Sequence, residues 1–194
     1  MTLVLASGSA IRRSMLEAAG VPHDVDPARV DEDALKAGFT GDDAALATAL
    51  AEAKAIETAS RLSGKWTIGG DSLVSVDGRR FDKPASREDA AAHLRAFSGR
   101  TMKLTSAVCL ARDARVFWSH AETARLQVRH FGDTFIHNYL DAEWPAVSAC
   151  VGVFRFEGPG VQLFESVEGS HFTILGMPLL PLLGALRAHG ILAA

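Results

Sequence analysis

Leu3-Val4-Leu5-Ala6-Ser7-Gly8-Ser9-Ala10-Ile11-Arg12-Arg13 opens the chain and decides how the rest is read. Leu3 to Ala6 is a short apolar run of the kind that forms a buried strand. Ser7-Gly8-Ser9 makes a turn, and Ser9 is placed to cap a helix. Met15, Leu16 and Ala19 give that helix an apolar stripe, and Gly20 stops it. A strand that runs through a glycine turn into a helix is the opening of an α/β fold. Arg12 and Arg13 fall in the first turn of the helix, where each opposes the macrodipole at a cost of roughly 0.3–1 kcal/mol. Something negative bound at that end would offset the cost. Free amides, the hydroxyls of Ser7 and Ser9, Gly8 and the two arginines together suit a polyphosphate cradle. Equally, both arginines could point to solvent with Ser9 acting only as a cap, and the segment by itself supports either reading.

Working outward, Asp43 to Leu62 is alanine-rich, with Leu46, Leu50 and Ala53 on one helical face. Trp66 to Val76 reads as a strand containing Gly69-Gly70, and Asp77-Gly78 as a hairpin turn. Ser86 caps a helix that runs through Arg95 and ends near Ser98-Gly99. Lys103–Ala111 and Val116–Val128 read as two long strands, followed by a short helix over Asp133–Asp141. Strands are expected near Gly152–Phe154 and Val161–Phe164, and a last helix from Pro178 to His189. No repeat, low-complexity tract or linker interrupts the chain, so residues 1–194 are expected to form a single domain. The order of elements predicts a mixed α/β architecture with helices covering the sheet.

Composition narrows the function classes. Hydrophobic residues make up 48% of the chain and charged ones 22%, and the net charge is −3, so nothing advertises a nucleic-acid or membrane surface. The counter-charges for an anionic ligand would have to be gathered locally. Cys109 and Cys150 lie far apart in apolar surroundings and read as free thiols. The apolar run at the N-terminus is too short for a signal peptide, and Ile174–Leu186 is broken by Gly176, Pro178 and Pro181. A cytoplasmic protein is expected. His130 and His137, seven residues apart with no acidic third partner, suit surface or packing roles better than metal ligation.

Seven short motifs then occur in a telling order. They are Ser7-Gly8-Ser9-Ala10-Ile11-Arg12, Asp31-Glu32, Glu52-Ala53-Lys54-Ala55, Gly70-Asp71-Ser72, Asp82-Lys83-Pro84, Ser98-Gly99-Arg100-Thr101 and Gly176-Met177-Pro178-Leu179. Together they resemble the signature of the Maf-like nucleoside triphosphate pyrophosphatases over almost the whole chain. The resemblance implies a mixed twisted sheet with flanking helices, forming two lobes around a central cleft. It implies metal-dependent hydrolysis of a nucleoside triphosphate to the monophosphate and pyrophosphate, with Mg²⁺ or Mn²⁺ as cofactor, clearing nucleotide pools of unwanted members. The partner would be a small-molecule nucleotide, with no nucleic acid and no membrane. Similar proteins are often homodimers.

The same resemblance suggests roles. Arg12, Lys54 and Lys83 would supply positive charge to the phosphates. Lys54 also lies one turn after Leu50, where its stem could simply cover the apolar stripe with its ammonium in water. Lys83, beside Pro84, could be an ordinary loop lysine. Asp71 follows Gly69-Gly70 at the expected end of a strand, where missing side chains would let a ligand approach. Similar proteins assign this aspartate to accept a proton from the attacking water. A carboxylate with an ordinary pKa of about 3.9 is a weak base, so holding the metal and orienting its water is the easier role to defend. Glu32 would be the second metal carboxylate, unless Asp31-Glu32-Asp33 is only a solvated loop. Arg100 would either touch a phosphate or merely flank its turn.

Three positions bear on the base. Ile11 stands where the pyrimidine-cleaving members carry arginine, and Ser72 stands where they carry threonine. Glu157 matches the glutamate of members resembling the 7-methyl-GTP group. Glutamate suits guanine because its two oxygens can accept from N1–H and from the exocyclic amine together. Phe154 and Phe156 are candidates to stack on the base, or else belong to the core. The preferred substrate is therefore 7-methyl-GTP or a related nucleotide. The alternatives are dTTP, UTP and modified pyrimidine triphosphates, or a non-catalytic nucleotide-binding regulator of septum formation.

Overall fold

Strand β1 (Leu3–Leu5) is buried along its whole length and pairs in parallel with both β2 (Asp24–Val25) and β3 (Trp66–Val76). A strand with parallel neighbours on each side has no wet edge, which explains its unbroken apolar run. The structure, a computed structural model, describes residues 2–193. Helix α1 (Ala10–Ala18) begins at Ser9, whose hydroxyl accepts from the Arg12 amide at 3.4 Å. Helix α2 (Glu32–Ala37) is capped by Asp31, which accepts from the Ala34 amide at 3.0 Å. The acidic stretch, for which a solvated loop is one of two readings, is thus the start of a helix, and its carboxylates suit the positive end of the macrodipole.

Helix α3 (Asp43–Arg61) buries Leu46, Ala47, Leu50, Ala51, Ala55 and Ala59. Small residues on that face matter because α3 lies directly on β3. A Cβ added to Gly69 would come within 2.1 Å of the Ala51 carbonyl oxygen and 2.7 Å of the Ala55 nitrogen. The space left by Gly69 is therefore taken by a helix backbone, and the expectation that it admits a ligand is corrected. Asp71 is also not at a strand end, since β3 continues to Val76.

A two-residue turn at Asp77-Gly78, both at positive φ, carries β3 into the antiparallel β4 (Arg79–Phe81). Helix α4 (Arg87–Phe97) follows its Ser86 cap. Strands β5 (Thr101–Arg112) and β6 (Arg115–Val128) are neighbours joined through Asp113-Ala114, and helix α5 (Asp133–Glu143) comes next. Strand β7 (Phe164–Glu168) runs antiparallel to β6, and the chain ends with α6 (His171–Ile174) and α7 (Leu179–Ala188). The strand order is β2-β1-β3-β5-β6-β7, with β4 attached to β3. The sheet has seven strands, and its mixed character with flanking helices is what the sequence predicts.

One expected strand does not form among the described residues, and another is displaced. Residues 152–154 turn instead, because Val153 adopts φ +55° and the Phe154 ring fills the space beside Gly152. Pro159–Leu163 is a 3-10 turn, so the strand expected at Val161 begins only at Phe164.

The chain divides into two compact units. Unit 1 comprises Met1–Ser72, Thr105–Glu122 and Gly176–Ala194, with Leu5, Leu16, Leu50, Ile68, Leu110 and Leu186 among its buried residues. Unit 2 comprises Leu73–Leu104 and Thr123–Leu175, with a core that includes Val74, Leu94, Phe97, Leu126 and Leu140. Among the described residues no helix is long and apolar enough to cross a membrane.

Candidate active site

Arg12 is the third residue of α1, yet only 9% of it is exposed. Its Nε donates to the Gly176 carbonyl at 2.8 Å, one terminal nitrogen to Ser7 Oγ at 3.2 Å, and the other to Ser72 Oγ at 2.9 Å. Burial pulls its pKa down, while the Asp71 and Glu32 carboxylates push it back up. A guanidinium stays charged through such a contest. Arg13, by contrast, is exposed and pairs with Glu17 at 3.6 Å. The two arginines of the opening motif thus part ways, one held inside unit 1 and the other on its surface.

Lys54 projects from α3 with a side chain only 12% exposed. Its Nζ lies 2.6 Å from Asp71 Oδ1 and 2.7 Å from Glu32 Oε1. This arrangement decides between the two sequence readings: the ammonium is held by carboxylates rather than trailing into water. Asp71 is 6% exposed and sits mid-strand on β3. Next to it, Gly70 leaves room for Arg12, because a Cβ there would fall 3.3 Å from Nε. Unit 1 therefore gathers Ser7, Ser9, Arg12, Glu32, Lys54, Asp71 and Ser72, with the half-buried Ile11 beside Arg12 in the chain. Two cations face two carboxylates, so the cluster is electrically balanced.

Sequence reasoning gave no role to two members of this cluster. The Gly176 carbonyl accepts from Arg12 Nε, and the glycine itself adopts φ +104°. Its motif was visible, but nothing in a Gly-x-Pro-Leu string says where the carbonyl points. Ser106, fully buried on β5, lies 2.8 Å from the Ser72 hydroxyl. A serine inside a long buried strand carries no signal of its own.

Unit 2 holds the other anticipated residues. Lys83 and Glu157 are both exposed. Burial raises the pKa of the Cys150 thiol, Glu157 and Glu143 add to the rise, and Arg155 and Lys83 act against it. Arg155 makes a two-pronged bond to the buried Glu143, 2.9 Å on each arm. Tyr139 donates to the Val153 carbonyl at 2.9 Å and holds the turn ahead of Glu157. Phe154 is a core residue, packed edge-on against Phe164 with ring centroids 4.9 Å apart. Phe156 is half-buried beside Phe164 and His171. Arg100 is occupied by Asp77.

A divalent cation fits the unit 1 cluster chemically. Glu32 and Asp71 converge on one cation-sized position, and their oxygens suit Mg²⁺ or Mn²⁺. Among the described residues no group of three or more His, Cys, Asp or Glu is gathered for a metal. Two carboxylates are nonetheless enough for an ion whose other ligands are phosphate oxygens and water.

The chain is similar to several known proteins. A nucleoside triphosphate pyrophosphatase of Paramagnetospirillum magneticum is 47% identical over 96% of this chain and 98% of its own. A 7-methyl-GTP pyrophosphatase of Mesorhizobium japonicum is 45% identical over 97% of this chain and 96% of its own. Among solved structures, a nucleoside-triphosphatase described as a dITP/XTP pyrophosphatase, from Mycobacterium abscessus, aligns at a TM-score of 0.40 and 17% identity. That alignment covers 68% of this chain and 76% of the other. The sequence model of the Maf-like proteins matches residues 2–189, and the chain belongs to that family.

Proposed function

We propose that this protein hydrolyses a nucleoside triphosphate between its α and β phosphates, releasing the monophosphate and pyrophosphate, and that it does so in the cytoplasm. The observation that carries the reading is the placement of Lys54 between Asp71 and Glu32, with the buried Arg12 guanidinium alongside. Relatives at about 45% identity that bear pyrophosphatase names support it.

The charge balance supports a divalent cofactor. Two cations and two carboxylates leave no surplus positive charge, whereas a triphosphate tail brings several negative charges. Asp71 and Glu32 would hold Mg²⁺ or Mn²⁺. When bound, such an ion would supply Lewis-acid polarisation of phosphate oxygens and lower the pKa of water. Arg12 contributes fixed positive charge and the two N–H donors that its three bonds leave over. Lys54, one turn of a rigid helix from Leu50, supplies a mobile ammonium that phosphate oxygens can draw away from the carboxylates. Asp71 would orient the attacking water and accept its proton.

The finer reading names 7-methyl-GTP as substrate. Glu157 would accept from both guanine donors and oppose the positive charge that N7 methylation brings. The test is a panel of 7-methyl-GTP, GTP, dTTP and UTP with Mg²⁺ or Mn²⁺, scored for pyrophosphate and for orthophosphate. Pyrophosphate from 7-methyl-GTP at the highest kcat/KM is expected. Orthophosphate as first product would reject the cleavage position, and faster turnover of dTTP or UTP would reject the base assignment.

A further inference from the structure

We infer that Ser72 is a positioning residue for the Arg12 guanidinium. The inference rests on the function proposed above and refines it. A hydroxyl has one proton to give and two lone pairs to receive with. Ser72 Oγ lies 2.9 Å from an Arg12 terminal nitrogen, 2.8 Å from Ser106 Oγ and 3.2 Å from the Gly176 carbonyl oxygen. Arg12 has no lone pair to offer, so it must donate to Ser72. The carbonyl can only accept, so the single Ser72 proton goes to it or to Ser106. Three polar neighbours inside unit 1 thus surround the hydroxyl, and whichever way its proton points it accepts from Arg12.

The same bonds fix the guanidinium from three sides. Ser7 approaches one terminal nitrogen, Ser72 the other, and the Gly176 carbonyl takes Nε. These partners come from different stretches of chain. Ser72 ends the first segment of unit 1, Ser106 is the second residue of its second segment, and Gly176 begins its third. A planar cation held this way keeps one orientation, which is what a phosphate-binding arginine needs before the substrate arrives. Ser106, buried behind Ser72, keeps the Ser72 hydroxyl turned toward Arg12. A residue that acts on the phosphate end should alter turnover of every triphosphate alike.

The experiment compares wild type with Ser72→Ala, Ser72→Thr and Ser106→Ala, measuring kcat and KM for 7-methyl-GTP and dTTP by pyrophosphate release. The expected result for Ser72→Ala is a fall in kcat of about tenfold on both substrates, the scale of one lost hydrogen bond to a charged group. The ratio of the two kcat/KM values should move less than about threefold, since the change falls at the phosphate end. Threonine keeps the hydroxyl, so Ser72→Thr should recover most of the lost kcat. A second readout is the Arg12 Nε–H proton in nuclear magnetic resonance, which needs no turnover. It should exchange with water faster in Ser72→Ala, and in Ser106→Ala should the first variant fold poorly. A larger change in the substrate ratio, an unchanged kcat, or unchanged Nε–H exchange would each overturn the inference. A wild-type protein that releases no pyrophosphate would instead sink the proposed function, and the exchange measurement would then decide the positioning role by itself.

Discussion

Lys54 Nζ lies 2.6 Å from Asp71 Oδ1, and the same ammonium meets Glu32 at 2.7 Å, so one lysine serves as the shared counter-ion of two carboxylates. Replacing it with methionine leaves those carboxylates facing each other. Loss of one partner from a buried ion pair costs about 3–5 kcal/mol. Part of that is recoverable if a divalent ion takes the vacated position, since a ligand at a hundred times its Kd adds about 2.7 kcal/mol. Lys54→Met is therefore expected to melt well below wild type in chelator, and to gain more from millimolar Mn²⁺ than wild type does. Equal metal-induced shifts in Tm would mean that the two carboxylates are not a cation site.

Asp71→Asn keeps the shape of the side chain and an oxygen for Lys54 but removes the negative charge. Pyrophosphate release should fall by about 10²–10⁴-fold, the usual contribution of a positioned proton acceptor. Nucleotide affinity, measured by calorimetry, should persist. Retained turnover would take Asp71 out of the chemistry.

Two glycines make a paired test of helix packing. At Gly69 an alanine methyl would collide with the α3 backbone, 2.1 Å from the Ala51 oxygen, whereas nothing lies within 4 Å of a Cβ on Gly184 in α7. Gly69→Ala should cost about 3 kcal/mol or more through overpacking. Gly184→Ala should add about 0.5–1 kcal/mol by helix propensity. Urea unfolding midpoints give both signs at once.

The stability of unit 2 should depend on pH through His93. Its ring packs against Phe81 and Phe97, and its Nδ1 is buried without a hydrogen-bond partner among the described residues. Burial lowers its pKa, with Asp89 and Asp82 opposing and Arg79 assisting. A base that is harder to protonate in the folded chain favours unfolding once protons become available. Its stabilising effect is complete above the unfolded pKa of about 6.5 and declines as pH falls toward the lower folded value. His93→Leu should therefore lose less stability than wild type between neutral pH and the acid side of that window. Parallel pH profiles for the two proteins would refute this.

Strong local patterns made most of the fold readable from the amino acids. Strand β3 has its predicted limits, and α3 comes within one residue of them, because a continuous apolar run and an alanine-rich stripe leave little else to form. Helix α2 was missed for a physical reason: it buries no residue, so it has no apolar stripe to detect. The expected strand at Gly152 failed because a buried valine, at odds with its β-branched preference, takes a left-handed turn under tertiary packing. In the site, residue types were legible but directions were not. Arg12 and Arg13 are adjacent and chemically identical, and only the fold distinguishes the buried one from the exposed one.

The guanidinium of Arg12 is bound to a carbonyl 164 positions further along the chain. During translation the arginine leaves the ribosome long before the residue that completes its surroundings has been added. A nascent chain released at Leu175 would carry Arg12, Lys54 and Asp71 and still lack the oxygen that Arg12 Nε requires. A chain that stops short of Gly176 thus lacks one of the three bonds that fix the Arg12 guanidinium.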